Sequence, residues 1–277
     1  MRILACQVAI PPVHSADARD RHVARVLDAA RARLRETPVD LVLLPELFTI
    51  DYSTAAFDAL DALGENLEGL TVTACASLAR DAQCHVGLSL PRRIEGRFQI
   101  SFIVVAPDGS VAGAYEKLHI AEFGASQERG YFEPGNALLV FDCGGMRCSR
   151  IICYDFRFPE LVRHLCLNHR VDVILHAVAF ARDATFASWE PFVICRALEN
   201  QVFFLSLNRA GEDYGHSILC PPWIDRHNAV VRFQAEERFE VLDLDPERIA
   251  ACRADFPFRE DALEEYRHLK PNGVDGA

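Results

Sequence analysis

Three residues stand where an extended apolar run ends, the place at which folds of alternating strands and helices put their chemistry. Cys153 closes Met146-Arg-Cys-Ser-Arg-Ile-Ile-Cys and precedes Tyr154-Asp-Phe-Arg-Phe-Pro159. A strand that breaks into a turn before a helix opened by Pro159 can hold a thiol over a cleft, and the helix N-terminus is expected to favour the thiolate. The same position also suits a cysteine that is only packing material. Glu46 follows Leu41-Val-Leu-Leu-Pro45, where apolar neighbours could raise a carboxyl group into the range of a general base, or where it could simply face solvent. Lys117 closes Ala114-Tyr-Glu-Lys117 and could stabilise an oxyanion, or be an ordinary surface lysine.

The elements that must position these residues follow from hydrophobic periodicity. Ile3 to Ala9, Leu41 to Leu44 and Val86 to Leu90 read as strands. Between them, Val23, Val26, Leu27, Ala30 and Leu34, then Leu70, Ala74, Cys75 and Leu78, recur at helical spacing, giving β-α-β-α-β. Ser15 is the expected cap of the first helix and Pro38 lies just beyond its end. Two extended runs, 98–105 and 111–115, flank Pro107-Asp-Gly-Ser110 and predict a hairpin. A polar loop from His119 to Asn136 is long enough to expect function in it.

The alternation then repeats: strand Cys148 to Cys153, helix Pro159 to Leu167, strand Val171 to Val178, helix Phe186 to Glu199, strand Phe203 to Leu207, and hairpin-like material from Ser217 to Leu244. Such a pattern packs as mixed sheets with helices outside, an α/β fold. No linker or low-complexity tract separates the halves, so one domain over 1–277 is expected, with a helical tail from about Pro246.

Composition narrows the partners. With 277 residues, half of them hydrophobic, the chain can bury a large core. A net charge of −11 disfavours nucleic acid and anionic membrane surfaces, whose phosphates would be repelled. Met1 leads directly into strand-like Arg2-Ile-Leu-Ala5, and no apolar run approaches the ~18 residues that span a bilayer, so a cytoplasmic protein is expected. The ten cysteines are scattered through apolar segments and read mostly as small core residues. No zinc-ligand spacing is present, and neither a metal nor another cofactor is expected.

Taken together, Leu44-Pro-Glu46, Tyr115-Glu-Lys-Leu-His119 and Ile152-Cys-Tyr-Asp-Phe-Arg-Phe-Pro-Glu-Leu161, in that order, closely resemble the nitrilase-superfamily carbon-nitrogen hydrolases. The likeness continues through Trp189, Arg196 to Gln201 and Gly215-His-Ser217, and so covers the chain to about residue 255. The resemblance implies an α-β-β-α sandwich and a catalytic triad of Glu46, Lys117 and Cys153. It also implies a further glutamate beside the lysine, which falls at Glu128, with Glu122 and Glu133 close by as alternatives. Tyr154, Tyr52 and Phe180 are the expected substrate contacts.

The implied partner is a small amide or carbamoyl substrate, cleaved by an enzyme that forms a homodimer or larger homo-oligomer. A nitrilase is the next choice of enzyme, and a catalytically silent binding module on the same scaffold is the rival from another class. Two departures fall near the expected pocket: Cys220-Pro-Pro-Trp-Ile224 replaces a small-residue turn, and the strand to Val178 leaves through His176 and Ala177 in place of a proline-containing exit. His176 reads as a satisfied packing histidine, because the triad needs no imidazole.

Overall fold

The computed structural model describes residues 1–124, 126–263, 266 and 269. Its strands are β1 (Arg2–Gln7), β2 (Leu41–Leu43), β3 (His85–Ile94), β4 (Arg97–Val105), β5 (Val111–Glu116), β6 (Val140–Cys143), β7 (Met146–Ile152), β8 (Val173–Ala177), β9 (Phe203–Leu207), β10 (Ile218–Cys220), β11 (Val231–Arg232) and β12 (Arg238–Asp243). The helices are α1 (Ala16–Glu36), α2 (Thr54–Asp58), α3 (Leu60–Leu63), α4 (Leu70–Ala82), α5 (Pro159–Asn168), α6 (Trp189–Asn200), α7 (Pro246–Asp255) and α8 (Phe258–Asp261). They build two six-stranded mixed sheets, ordered β12-β1-β2-β3-β4-β5 and β11-β10-β9-β8-β7-β6. The layering is the expected α-β-β-α sandwich.

Alternation along the first sheet assigns its two faces, since successive side chains of a strand point to opposite sides. Ile3 and Ala5 of β1, Leu41 and Leu43 of β2, and Ile100, Phe102 and Val104 of β4 face the space between the sheets. Leu4, Cys6, Val42, Ile103 and Val105 face outward against α1 and α4. The Ser15 hydroxyl caps α1 by accepting from the Ala18 N–H (3.2 Å), as its sequence position suggests. The helix then buries His22, Val23, Val26, Leu27 and Ala30 on one stripe. Burying each large aliphatic side chain there contributes about 1.5–3 kcal/mol. The second sheet is covered on both faces, which explains why β8 is buried at every position.

Several elements differ from the sequence reading. The hairpin at 107–110 forms, with the Asp108 carboxylate accepting from the Ser110 N–H (2.8 Å) and Gly109 at φ +84°. A second hairpin, β6–β7, turns on Gly144 and Gly145, both in the left-handed region (φ +55° and +75°) that suits glycine. The material from 217 to 244 is not one hairpin but is shared between the sheets. β10 and β11 pair in the second, whereas β12 crosses to the first and pairs antiparallel with β1, Leu4 opposite Val241. The helix expected from Phe186 begins at Trp189, after a 3-10 turn over Phe186–Ser188. The expected helical tail is α7, capped by Asp245, and the short α8. Beyond residue 263 that expectation, apart from Tyr266 and Leu269, lies outside the described residues. Of the apolar residues in α5 and the tail, Val162, Leu165 and Cys166 are buried in the core, while Phe258 stays 40% exposed beside Trp223.

Candidate active site

The C-terminal ends of β2, β5, β7, β8 and β9 converge on one point, where segments from both sheets meet. Glu46 lies just past β2 and Lys117 just past β5, and the Lys117 N–H continues the ladder to the Ile100 carbonyl (2.9 Å). The Lys117 ammonium donates to Glu46 Oε1 (2.9 Å) and to Glu128 Oε1 (2.6 Å). Glu46 Oε2 accepts from the Ala179 N–H (2.7 Å), just beyond β8, so this carboxylate ties the two sheets together. Glu128 is held from the loop: its Oε2 accepts from the Ala121 N–H (2.8 Å) and its Oε1 from the Tyr52 hydroxyl (2.5 Å). Glu46, Lys117 and Glu128 have no solvent exposure and Cys153 has 8%.

Of the three glutamates the loop offers, burial separates one. Glu122 bonds the exposed Arg129 N–H and Glu133 pairs with Arg97 at the surface, whereas Glu128 alone joins Lys117.

Cys153 follows β7 directly and adopts φ +38°, a left-handed backbone that an L side chain enters only where its surroundings hold it. Asp155 supplies much of that hold. Its Oδ2 accepts from the Ile152 N–H (3.0 Å) and the Tyr115 hydroxyl (2.6 Å), and its Oδ1 accepts from the His119 N–H (3.0 Å) and contacts His119 Nδ1 (2.7 Å). The expected help from a helix N-terminus is not what the chain provides. Cys153 opens a 3-10 turn over Cys153–Arg157, and α5 starts only at Pro159. Burial first, and then the nearby Glu46 charge, push the Cys153 thiol well above its ordinary range, with Lys117 pulling the other way. The resting sulfur is therefore a thiol.

A buried carboxyl group lies close enough to act on this thiol electrostatically. Burial raises the Glu46 carboxyl group and the Lys117 charge only partly offsets it. Burial also works against the Lys117 ammonium, but Glu128 and Glu46 outweigh it and drive Lys117 above its usual range. A cation surrounded by two carboxylates stays charged.

Cys153 opens onto a small cavity of about 30 Å³ whose wall includes Tyr52, Tyr154, Arg157, Ala179 and Phe180. All three expected substrate contacts thus line one space. Phe180 is fixed there by its N–H to Asn208 Oδ1 (2.9 Å) and by stacking on Trp189 (5.3 Å between centroids).

Arg209 escaped the sequence reading. Its buried guanidinium donates through Nη2 to the Glu46 (3.0 Å) and Leu47 (2.9 Å) carbonyl oxygens and so clamps the backbone that carries Glu46. Asn208 and Arg209 follow the apolar strand β9, so the strand-end rule that singled out Glu46 would have found them too.

Sandwich and site together have the form of a hydrolytic enzyme of the nitrilase superfamily. Residues 2–254 match the family model described as carbon-nitrogen hydrolase, and the chain belongs to that family: it is an enzyme acting on non-peptide carbon-nitrogen amide bonds. Among its relatives, omega-amidase NIT2-B of Xenopus laevis is 26% identical over 270 residues, covering 93% of each chain. A protein named nitrilase from Pyrococcus abyssi (strain GE5 / Orsay) is 32% identical over 205 residues, covering 73% of this chain and 74% of that one. Among solved structures, a mutant of the amidase from Nesterenkonia sp. AN1, with the acetamide moiety of fluoroacetamide covalently added at its active site cysteine, superposes with a TM-score of 0.72. It is 25% identical, and the match covers 92% of this chain and 95% of that one.

Proposed function

We propose that this enzyme hydrolyses a small linear amide or N-carbamoyl compound through a thioester on Cys153, with Glu46 as general base and acid and Lys117 as electrophile. The carrying observation is the Lys117 ammonium held between Glu46 and Glu128 beside the cavity that Cys153 lines. Two of its three N–H bonds go to carboxylates, leaving the third for a substrate oxygen. The covalent adduct on the active site cysteine of the Nesterenkonia amidase supports the same role for Cys153.

Glu46 takes the thiol proton as Cys153 Sγ bonds to the amide carbon, and the carbonyl oxygen becomes an oxyanion facing Lys117 and the Tyr154 N–H. Collapse of that adduct breaks the C–N bond. Glu46 returns its proton to the departing nitrogen, which leaves as ammonia from a primary amide. A water, its proton taken by Glu46, then attacks the thioester, releasing the carboxylic acid and restoring the thiol. Glu128 and Tyr52 hold Lys117 in line throughout. A cavity of about 30 Å³ has room for about two waters, which favours a short acyl portion. Ten free cysteines, nine of them buried, suit the reducing cytoplasm, where we place the enzyme.

The test is ammonia release from a panel of short amides, N-carbamoyl compounds and nitriles, with Cys153→Ala measured in parallel. Release from amides or carbamoyl compounds that disappears in the variant is expected. Release from nitriles alone would favour the second reading, to which the Pyrococcus relative's name points. Turnover by folded Cys153→Ala would sink the mechanism.

A further inference from the structure

His176 occupies the next-to-last position of β8, fully buried, with both ring nitrogens engaged. Nε2 lies 2.8 Å from the Cys153 carbonyl oxygen, and Nδ1 lies 2.8 Å from Ser206 Oγ of β9. A carbonyl oxygen can only accept, so Nε2 carries the proton. Burial pushes the ring down to about 3, so it is neutral and Nδ1 has only a lone pair to offer. The Ser206 hydroxyl must then donate to Nδ1, and it is free to do so because its own oxygen accepts from the Trp189 indole N–H (2.9 Å). The line Trp189, Ser206, His176, Cys153 therefore has one direction and one tautomer.

What this line holds is a peptide group. The last parallel register pair of β7 and β8 is Ile152 with Ala177, so the Cys153 carbonyl, turned away by φ +38°, lies beyond the ladder. The His176 side chain supplies the bond the ladder no longer can. In a planar trans peptide the Cys153 C=O and the Tyr154 N–H point in opposite directions. Fixing the carbonyl on His176 consequently aims that N–H away from the core, on the side of the cavity that Cys153 and Tyr154 line.

We propose that His176, locked by Ser206 and Trp189, is a positioning residue that sets the oxyanion-binding Tyr154 N–H by anchoring the Cys153 carbonyl. The proposal rests on the thioester reading above. Its effect belongs to the step in which charge develops on the substrate oxygen, and not to the sulfur's nucleophilicity. Phe156, stacked on the ring at 4.9 Å, and Phe204 keep the imidazole in its plane.

The test uses the full chain, the best substrate from the panel, and two readouts. One is kcat and KM. The other is the rate of Cys153 modification by methyl methanethiosulfonate, followed by peptide mass, a displacement at sulfur that develops no carbonyl oxyanion. His176→Phe keeps the ring packing and removes both hydrogen bonds. It is expected to lower kcat about ten- to a hundredfold, with KM and the modification rate changed by less than about threefold. His176→Gln, whose amide can donate at the Nε2 position, is expected to recover most of that loss.

Wild-type kcat in folded His176→Phe overturns the proposal, as does a modification rate that falls in step with kcat, or a glutamine variant no better than phenylalanine. Should the phenylalanine variant fail to fold, Ser206→Ala releases Nδ1 and is expected to give the same kcat-selective loss, several-fold in size. Wild-type kcat there overturns the proposal equally. Turnover that survives Cys153→Ala is a separate outcome and would instead remove the thioester reading.

Discussion

Lys117 and Arg150 are both buried cations at the inner side of the sandwich, and the protein treats them oppositely. Lys117 sits between two carboxylates and is driven above its ordinary range. Arg150, within β7, lies with its guanidinium carbon 3.1 Å from the Phe102 ring centroid, and its three nitrogens have no hydrogen-bond partner among the described residues. Burial pulls it well below the usual arginine range. An aromatic face returns about 2 kcal/mol to a desolvated cation, less than the several kcal/mol that its desolvation costs. The pairing of Lys117 is thus what lets a charge persist in the core and be available to chemistry, whereas Arg150 is charge carried without that return.

The sharpest break of this comparison is at the site itself. Cys153→Ala should reduce turnover by about 10⁴-fold or more while far-ultraviolet circular dichroism stays unchanged, because the cluster of Glu46, Lys117 and Glu128 does not need the sulfur.

Lys117→Met should come next, in both activity and stability. It leaves two carboxyl groups buried side by side, and breaking a buried pair in this way costs about 3–5 kcal/mol. Since those carboxyl groups can escape the cost by taking a proton, the deficit in denaturant unfolding should be larger at pH 8 than at pH 5.5. The acid limb of kcat/KM reads the same balance. As the proposed base, Glu46 must be ionised to accept the thiol proton, and burial has raised it, so wild-type activity should fall, as pH is lowered, before an ordinary glutamate would titrate.

Buried groups that avoid charge altogether give a third case. Burial lowers His22 to about 4 and His176 to about 3. Unfolded chains take up protons at these rings near pH 6.5, while the folded state refuses them until much lower. Stability is therefore whole above pH 6.5 and lost as pH falls, by about 2 kcal/mol per ring at pH 5. Unfolding midpoints measured between pH 7 and pH 5 check this, and a flat profile would mean that the two rings titrate normally.

The smallest effect is expected from Arg150→Met. An apolar side chain of similar length should be neutral or stabilising, by about 1–3 kcal/mol, and raise the thermal midpoint by several degrees with kcat unchanged. A clear fall in the midpoint would show that Phe102 compensates the guanidinium in full.

Legibility varied with how local the cause was. The α1 cap at Ser15, the 107–110 turn and the strands β1 and β2 are local patterns, and each forms where the sequence pattern put it. The one-turn helices α2 and α3 were invisible because four or five residues carry too little periodicity to separate from a loop. The β6–β7 hairpin was missed although Gly144-Gly145 is a turn signal, since the Val140–Cys143 strand is only four residues long and carries little pattern of its own. At the site, Cys153, Glu46 and Lys117 were each visible as strand-end residues, but each also had an ordinary explanation.

By itself, then, the sequence determined the alternation that makes an α/β sandwich, the residue types able to attack, to accept a proton and to hold an oxyanion, and the family they resemble. These are properties of neighbours along the chain. Tertiary structure alone decided which of Glu122, Glu128 and Glu133 meets Lys117, that β12 leaves its neighbours in sequence to pair with β1, and that His176 lies against the Cys153 carbonyl. The reason is physical: burial, and the low dielectric that comes with it, turn a carboxylate or an imidazole into a positioned group, and burial depends on which strands become neighbours across two sheets.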